Sequence, residues 1–409
     1  MKTCRPHRVL SLLAMTTTAV LAFSADVAHS LAIADDKPVQ GLYQYKAGEK
    51  DEARLEYVSG LPVLTLFGEI QGDGSEIGRQ SAALCGEVTD DLLAFPKTLL
   101  ERFNAPLPYQ GLVRMAQKFR AKMPPHQLAE LKAIAKATGV SEDELVAANC
   151  LPDITRAFGC SSVLIEPTRS ATGEMIFGRN LDYFALADLH RFSLVKVYHQ
   201  SGRHSFVSIG FPGLAGVLSG MNEHGLCLAV HEVYQSADES PTLNDNGIPY
   251  TMLYRQVLEE CKTVDEAVAM IRKAPRTIRQ NLALCDRERA VVCEVTPKTV
   301  NVRPAEEAAL LCTNHFRTDG LAVAESMKCW RFETMSKSLA EKVTVADVAR
   351  RLHLGNQGKL TMQTMIFEPK SLRLHLSIGR LPSSGQPLRT MDFQQRLTAD
   401  SAEEVTERE

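Results

Sequence analysis

The pattern of hydrophobic residues changes at Cys160. From this residue onward the chain consists of short apolar runs with period-two alternation, separated by turn residues, as in SSVLIE followed by EMIFGRNL. Such runs predict antiparallel strands joined by hairpins. Helices are predicted between groups of strands, at 249–262, 263–273 and 344–353. Together these elements predict an α+β fold in which two packed sheets are covered by helices.

The segment before Cys160 has a different texture, and residues 64–150 read as mainly helical. Apolar residues recur at helical spacing from Ser75 onward, and a second helix is predicted at 127–138. A third helix begins at Ser141 in the run SEDELVAANC, which has the pattern of a capping box.

The first 32 residues form a third type of segment. Lys2, Arg5 and Arg8 precede an apolar stretch at 9–23, and mostly small residues follow as far as Ala32. This layout is typical of a secretory signal peptide. Three threonines interrupt the apolar stretch, and about 20 predominantly apolar residues are needed to span a bilayer, so a retained membrane anchor is the weaker interpretation. We therefore expect an exported protein.

These changes of texture divide the chain into four predicted parts. They are a signal peptide at 1–32, a mainly helical leader at 33–159, a strand-rich body at 160–397 and a loose acidic tail at 398–409.

Composition narrows the possible partners. The 46 Lys and Arg residues nearly balance the 49 Asp and Glu residues, and no basic stripe carries interleaved aromatic residues, so nucleic acid is not an expected partner. The ten cysteines show no C-x-x-C pair, and no H-E-x-x-H motif is present, so neither a metal nor another cofactor is expected. Removal of Cys4 with the signal peptide leaves an odd number, and Cys160 is our candidate for a free thiol.

Counting along the first hairpin places charged residues beside Cys160. If the turn centres near Ser170, the ladder pairs Cys160 with Asn180, next to Arg179 and Asp182. A guanidinium there would favour the thiolate of a cysteine, whose unperturbed pKa is about 8.5. Arg179 and Asp182 differ in parity, so a bulge, a strand end or a one-residue slip of the register is needed to bring both to the thiol.

Each of these residues also has a purely structural interpretation. A cysteine at the head of an apolar strand is commonly a small buried side chain. Arg179 and Asp182 could equally form a surface ion pair. Residue spacing alone does not choose between these interpretations and an activated nucleophile.

The motifs around Cys160 resemble those of a known enzyme superfamily. FGCSSV followed by GEMIFGRNLDYF is similar to the start of the mature chain in the choloylglycine-hydrolase superfamily of N-terminal-nucleophile enzymes. Over roughly residues 60–390 the chain resembles the isopenicillin-N acyltransferase family of autoproteolytic acyltransferases and hydrolases. The supporting motifs are, in order, VAANCLPDITRAFGC, NEHGL, NLALCD, TNHF and SMKCWRF. The hairpin that joins Cys160 to Arg179 is longer here than in the bile-salt branch.

The resemblance implies a fold and a set of roles. The fold would be a four-layer αββα sandwich of two antiparallel sheets. Cys160 would be the nucleophile, exposed by autocatalytic cleavage between Gly159 and Cys160, so that the leader and the body would be two chains of one precursor. Arg179 and Asp182 would occupy the activating positions.

Three further positions match residues of the family. Asn281 would line the oxyanion hole, Asn314 matches a catalytic asparagine, and Arg331 matches a late active-site arginine. Each also has a structural interpretation, since Asn281 could start a strand, Asn314 could cap a turn and Arg331 could be a solvated charge.

The favoured function is an exported, self-processing cysteine amidase that hydrolyses a linear carbon–nitrogen bond of a small N-acyl substrate through a Cys160 acyl-enzyme. An acyltransferase that passes the acyl group to an amine is the first alternative, and a non-enzymatic exported binding protein is the second. A papain-like hydrolase that pairs Cys160 with His224, His231 or His315 would need no internal cut. It would also require a helix after the cysteine, where SSVLIE predicts a strand.

Overall fold

Strand pairing gathers the β-rich part of the chain into two sheets. The structure is a computed structural model that describes residues 37–68, 72–102, 104, 108–155, 159–324, 328–337 and 339–398, so the predicted signal peptide lies outside the described residues. The strands are, in chain order, β1 (Gly48–Lys50), β2 (Ala53–Val58), β3 (Leu61–Gly68), β4 (Gly159–Ile165), β5 (Ile176–Asp182), β6 (Leu194–Gln200), β7 (Phe206–Gly210), β8 (Ser219–Asn222), β9 (Cys227–Glu232), β10 (Gln280–Cys285), β11 (Ala290–Val295), β12 (Val300–Pro304), β13 (Ala309–Cys312), β14 (Thr361–Glu368), β15 (Arg373–Ser377) and β16 (Arg389–Asp392). The α-helices are α1 (Ser75–Arg102), α2 (Tyr109–Arg120), α3 (Pro125–Thr138), α4 (Glu142–Thr155), α5 (Tyr250–Glu260), α6 (Val264–Lys273), α7 (Trp330–Ser336), α8 (Val345–Leu354) and α9 (Gln394–Thr398).

The order of strands places β4 near the centre of the smaller sheet. Within the described residues, the larger sheet has ten strands in the order β1-β2-β3-β6-β7-β8-β9-β10-β11-β12, and the smaller has six in the order β13-β4-β5-β14-β15-β16. The pairing of β3 with β6 is parallel. The predicted hairpins β4–β5, β8–β9, β10–β11 and β14–β15 are antiparallel neighbours.

The two sheets pack face to face over an apolar interior. Leu164 and Phe177 of the smaller sheet and Val207 and Ala229 of the larger sheet belong to one buried cluster. Helix α8 covers the outer face of the smaller sheet through Val348, and α5 and α6 cover that of the larger sheet. This four-layer αββα sandwich confirms the predicted α+β fold class. Among the strand pairs of the described residues, only β3 and β6 are parallel.

Strand β10 shows how the sequence specifies two buried faces. Leu282 and Leu284 lie in the cluster beneath α5 and α6, whereas Ala283 and Cys285 face the opposite sheet. On this strand the large side chains therefore face the helix layer and the small ones face the opposite sheet.

The leader is only partly helical, which corrects the prediction for residues 64–150 at its start. Helices α1, α3 and α4 lie at the predicted positions, and the Glu144 backbone N–H donates to the Ser141 hydroxyl at 3.4 Å before α4. Strands β1, β2 and β3, however, extend the larger sheet. The sequence of β3, LPVLTLFG, is nearly continuously apolar because the strand is buried on both faces, so it lacks the alternation that marks half-exposed strands. No helix in the described ranges combines the length and apolar character needed to cross a membrane.

Candidate active site

Cys160 is the second residue of β4 and pairs with β5. The register pairs Cys160 with Leu181, so the predicted pairing with Asn180 is wrong by one residue. The reason lies in the connection, where the N–H groups of Arg169 and Ser170 both donate to the carbonyl of Glu166 and a second turn follows at 170–173. The centre of the hairpin therefore lies between Ser170 and Ala171, half a residue beyond the predicted centre at Ser170.

The shifted register brings Arg179 to the thiol. Directly paired residues of an antiparallel ladder project to the same face, as do residues two apart on one strand, so Cys160, Leu181 and Arg179 share a face. Nη2 of Arg179 lies 3.2 Å from Sγ of Cys160 and 3.0 Å from the carbonyl oxygen of Val230, and donates to both. With the predicted register, Arg179 would have pointed away from the sulfur.

The environment of Cys160 keeps its thiol protonated in the uncut chain. Burial raises the pKa of Cys160 to about 11, Arg179 acts to lower the pKa, and Asp182 and Glu232 act to raise it. Arg179 is itself fully buried, and its Nε and Nη1 find no hydrogen-bond partner among the described residues. Nucleophilic attack by this thiol therefore requires a base.

Two side chains hold the backbone of Cys160. The backbone N–H of Cys160 donates to Oδ1 of Asn314 at 2.9 Å, and Nη1 of Arg331 donates to the Cys160 carbonyl oxygen at 2.6 Å. Nη2 of Arg331 also donates to Oδ1 of Asn314 at 2.7 Å, and Nδ2 of Asn314 donates to the carbonyl of Glu232 at 2.8 Å. The backbone N–H and the carbonyl of Cys160 are thus fixed by two side chains that each lie more than 150 positions away from Cys160 in the sequence.

Asp182 lies at the end of β5 and projects to the face opposite the thiol. Its carboxylate accepts hydrogen bonds from the hydroxyl of Thr361 at 2.6 Å and from Nε2 of Gln357 at 2.7 Å. Nη1 of Arg331 lies 3.5 Å from the same carboxylate. The register between β5 and β14 is shifted at Met362, so the predicted irregularity occurs in the neighbouring strand rather than in β5 itself. Asp182 thereby orients Arg331, which in turn donates to the carbonyl oxygen of Cys160.

Gly159 has no side chain, and the Gln357 amide occupies the space that a side chain would need. A Cβ atom at this position would collide with Nε2 of Gln357 and would lie 3.3 Å from Cβ of Asp182. Because the Gln357 amide is bonded to Asp182, a side chain at residue 159 could be accommodated only by disturbing that bond.

Asn281 lies on β10 and is connected to the site through the turn that follows β13. Its Nδ2 donates to the carbonyl oxygens of Thr313 and His315, each at 2.9 Å, and these residues flank Asn314. Both amide hydrogens are therefore engaged, while the buried Oδ1 has no partner among the described residues. In this geometry Asn281 fixes the position of Asn314, and its role in an oxyanion hole stays a prediction.

Glu232 is a site residue that sequence reasoning did not select. It is fully buried at the end of β9, accepts a hydrogen bond from the Tyr250 hydroxyl at 3.2 Å, and raises the pKa of Cys160. The available signal was a carboxylate within the otherwise apolar run CLAVHEV, because a charge in a buried strand needs partners.

The three histidines of the papain-like alternative lie in other arrangements. Nε2 of His231 is 2.8 Å from the hydroxyl of Ser162, His224 contacts Glu223, and His315 contacts Cys329. Cys160 itself lies near the start of a strand instead of a helix. The structure therefore gives no support to a papain-like arrangement within the described residues.

An apolar cavity lies between the leader helices and the body. Its walls include Phe95 of α1, Leu151 of α4 and, from the body, Tyr183, Phe211 and Leu218. These five residues belong to the same buried cluster as Cys160. The cavity is thus built by both predicted chains, and its lining is almost wholly hydrocarbon.

One family model matches the chain. Residues 169–380 match the model for acyl-coenzyme A:6-aminopenicillanic acid acyl-transferase. The matched region includes Arg179, Asp182, Asn281, Asn314 and Arg331, and it begins after Cys160.

Several characterised proteins are similar over part of their length. Protein dcd1A of Dictyostelium discoideum is 25% identical over 158 residues, which are 36% of this chain and 34% of that protein. The N-acylethanolamine-hydrolyzing acid amidase of Caenorhabditis elegans is 27% identical over 150 residues, which are 34% of this chain and 41% of the relative. A solved structure of a C. elegans ortholog of that amidase aligns at 19% identity with a TM-score of 0.41, over 51% of this chain and 93% of that one. The chain thus spans about a third to two fifths of the length of these curated relatives.

Proposed function

Because the chain belongs to the acyl-coenzyme A:6-aminopenicillanic acid acyl-transferase family, we propose that it is a self-processing cysteine amidase. Cleavage before Cys160 would create the active enzyme, and hydrolysis of a linear amide would proceed through an acyl group carried on the Cys160 sulfur.

The observation that carries the proposal is the separate fixation of the thiol and the backbone nitrogen of Cys160. The sulfur accepts a hydrogen bond from buried Arg179, and the N–H donates to buried Asn314. A structural cysteine at the head of a strand needs neither contact, since an apolar pocket satisfies it. An N-terminal nucleophile needs both, because its sulfur reacts and its nitrogen becomes the base.

Self-cleavage would begin with attack of the Cys160 sulfur on the carbonyl carbon of Gly159. The carbon–nitrogen bond breaks, a thioester forms, and the thiol proton ends on the released amine. Water then hydrolyses the thioester and restores the thiol. Before cleavage the protonated thiol needs a proton acceptor, and the buried carboxylate of Glu232, which interacts electrostatically with Cys160, is the candidate.

Turnover would use the new terminus as the base. An α-amine has an unperturbed pKa of about 7.7–8.0, which suits proton transfer near neutral pH. The α-amine of Cys160 takes the thiol proton, the sulfur attacks the substrate carbonyl carbon, the carbon–nitrogen bond breaks, and the α-amine passes the proton to the leaving amine of the substrate. Water then hydrolyses the thioester, which releases the acid and restores the thiol. Asn314 would hold the terminal nitrogen through its Oδ1, and the free Nε and Nη1 hydrogens of Arg179 are available to a polar group of the substrate.

The apolar cavity suggests which part of the substrate is recognised. Its lining of aliphatic and aromatic residues would take a hydrocarbon acyl group, with the amide carbonyl directed towards Cys160. Each buried CH₂ is worth about 0.8 kcal/mol, so activity should rise with acyl length until the cavity is filled. An Ala148→Phe exchange on the cavity wall should shorten the preferred acyl group, whereas Ala137→Phe on the exposed face of α3 should not.

Denaturing electrophoresis with N-terminal sequencing tests the proposal. The purified chain should give a larger fragment that begins at Cys160, and a Cys160→Ala variant should stay intact. A wild-type chain that remains whole at neutral pH would favour a binding protein of the same fold, and cleavage of the alanine variant would indicate an external protease.

Transfer to an amine is the other possible fate of the acyl-enzyme, and we consider it because the matching family is named for an acyl-transferase. Adding an amine such as hydroxylamine to an N-acyl substrate distinguishes the two. A product dominated by the acyl-amine at low acceptor concentration would identify a transferase, and a product dominated by the free acid would identify a hydrolase.

Export through residues 1–32 is part of the same proposal. Cell fractionation of the intact chain and of a chain lacking these residues should place the first outside the cytoplasm and the second inside it. The same distribution for both chains would refute this step.

A further inference from the structure

Three side chains with metal-binding groups converge at one end of the larger sheet. His204 lies in the loop between β6 and β7, and Glu223 and His224 lie in the turn between β8 and β9. We name them the His–Glu–His triangle. Their side chains are partly exposed, at 20%, 26% and 33% of the full value. These residues play no part in the Cys160 site described above.

The three facing atoms form a nearly equilateral triangle. Nδ1 of His204 lies 3.2 Å from Oε1 of Glu223 and 3.0 Å from Nε2 of His224, and the latter lies 3.3 Å from the same carboxylate oxygen. The edges lie in or just beyond the range of hydrogen bonds, so the three groups compete for the hydrogens between them.

Protons alone do not satisfy this arrangement. Each ring nitrogen carries at most one hydrogen, and an ionised carboxylate carries none. If both hydrogens point at Glu223, the two N–H groups face each other across 3.0 Å. If one hydrogen joins His204 to His224 and the other ring nitrogen is bare, a lone pair faces the carboxylate. At least one edge is repulsive in either case.

A small divalent cation resolves the conflict. In tetrahedral zinc sites the metal lies about 2.0–2.2 Å from nitrogen and oxygen ligands, which places two ligand atoms roughly 3.3 Å apart. The observed edges of 3.0–3.3 Å are close to this separation. Two imidazoles with one carboxylate suit zinc and similar first-row ions, whereas Mg²⁺ and Ca²⁺ prefer ligand sets composed of oxygen.

The backbone around the triangle is fixed before any ion binds. Oδ1 of Asn222 accepts from the N–H groups of His224 and Leu226 at 3.1 and 3.0 Å, and its Nδ2 donates to two carbonyls at the end of α5. The N–H of Glu223 donates to the carbonyl of Ser205 at 2.9 Å, which ties the turn to the loop that carries His204. Such support keeps ligands in place and reduces the entropy lost on binding.

We propose that His204, Glu223 and His224 form a binding site for a zinc-like divalent transition-metal ion. The ion would join the β8–β9 turn to the β6–β7 loop and so stabilise this end of the larger sheet. No short motif announced the site because the ligands are brought together by strand pairing, in which Phe206 of β7 lies opposite Asn222 of β8.

Calorimetric titration of the full chain, expressed without a histidine tag and stripped of metal with a chelator, tests the proposal. Zn²⁺ should bind with one strong site per chain and raise the melting temperature, and Mg²⁺ at the same concentration should do neither. His224→Ala should weaken Zn²⁺ binding by roughly 100-fold or more, since it removes a direct ligand. Wild-type protein without a strong Zn²⁺ site would overturn the proposal.

Two further variants separate ligation from a loss of folding. Glu223→Gln keeps the shape of the side chain and its hydrogen-bonding capacity but removes the charge, so it should fold and still lose most of the affinity. His353→Ala removes a partly buried histidine on α8, outside the triangle, and should bind Zn²⁺ like the wild type. Equal binding by Glu223→Gln and the wild type, or equal losses in Glu223→Gln and His353→Ala, would contradict the assignment.

Discussion

At the scale of single residues, Arg179 is the group on which reactivity of the thiol should depend most. It is fully buried, contacts the Cys160 sulfur at 3.2 Å, and acts to lower the pKa of Cys160 against the effect of burial. Arg179→Met keeps much of the volume but removes the charge and the donors. We expect a fall of about 10²–10³-fold in the rates of self-cleavage and of turnover, as for other preorganised donors.

Time courses of chain cleavage by electrophoresis measure the first of these rates. Arg350→Met, an exposed position on α8, serves as the control and should cleave at the wild-type rate. The role given to Arg179 is wrong if the two variants are cleaved equally fast while both remain folded.

We expect the rate of self-cleavage to depend on Gly159 as well, for a steric reason. In Gly159→Ala the new methyl group would collide with the Gln357 amide, which is bonded to Asp182. Self-cleavage should slow by about tenfold or more, because Asp182 orients Arg331 and Arg331 holds the Cys160 carbonyl. A magnitude of tenfold corresponds to about 1.4 kcal/mol in the barrier.

The clash can be relieved independently, which makes this prediction specific. Adding Gln357→Ala to Gly159→Ala removes the obstructing atoms, so the double variant should cleave faster than Gly159→Ala alone. The explanation is wrong if Gly159→Ala cleaves at the wild-type rate. It is also wrong if Gln357→Ala slows the Gly159→Ala chain by the same factor as it slows the wild-type chain.

Which site residues could be predicted from sequence depends on how each is supported. Cys160, Arg179 and Asp182 lie in one hairpin with a recognisable motif, and the geometry brings all three to one site. The register was wrong by one residue because two turns between 166 and 173 are not apparent from composition. Glu232 was missed because its partners come from distant elements, such as Tyr250 of α5, and the distances between them are set by the packed fold.

At the scale of elements, α8 supports the reactive hairpin from outside. Gly178 of β5 lies directly beneath the helix, and a Cβ at this position would collide with Val348 and come within 3.0 Å of Leu352. The amide of Asn180 donates to the carbonyl of Leu352 at 2.7 Å, so the end of the helix is bonded to the same strand. The helix is therefore both packed against and hydrogen-bonded to the strand that carries Arg179.

Gly178→Ala should accordingly destabilise the protein and slow self-cleavage together. Overpacking of a buried contact costs about 1–3 kcal/mol, which denaturant unfolding can measure. Gly210→Ala is the matched control, because a Cβ there meets its neighbours at ordinary distances of 3.5 Å and more. Equal stability of the two variants would show that α8 can shift without cost.

Element prediction was most successful where one face is distinctive and least successful where both faces are buried. Helix α8 begins with a capping box formed by Thr344 and Asp347, and the predicted range of 344–353 matches it closely. Strand β3 was read as part of a helical region because its run of apolar residues has no alternation. Its place beside β6 depends on a parallel pairing across more than 120 residues, which no local pattern encodes.

At the scale of the whole molecule, the leader and the body share one interior. Arg255 of α5 makes buried ion pairs with Glu130 of α3 and with Glu259 of its own helix. Strands of the leader extend the larger sheet, and leader helices form walls of the apolar cavity. A cut at Gly159 would therefore leave two chains that stay associated, since separation would expose paired charges and apolar surface.

Asp153 should make this association depend on pH. It lies in α4 of the leader, is fully buried, and accepts hydrogen bonds from the Tyr250 N–H at 3.2 Å and the Thr277 hydroxyl at 2.5 Å, both in the body. Burial raises the pKa of Asp153 to about 7. Between roughly pH 4 and pH 7 the folded state keeps a proton that the unfolded state has lost, so the stability from this group is fully present below about pH 4 and is lost as the pH rises through 7.

Unfolding of the uncut Cys160→Ala chain, with and without Asp153→Asn, isolates this contribution. Asparagine stays neutral at every pH, so the free energy of unfolding of the aspartate form relative to the asparagine form should fall by up to about 1.4 kcal/mol per pH unit across this window. Other ionisable groups cancel in the difference, including Glu259, whose pKa is lowered chiefly by Arg255 against the effect of burial. A difference that stays constant from pH 4 to pH 8 would mean that Asp153 is ionised throughout, and the association of leader and body would then owe nothing to its protonation.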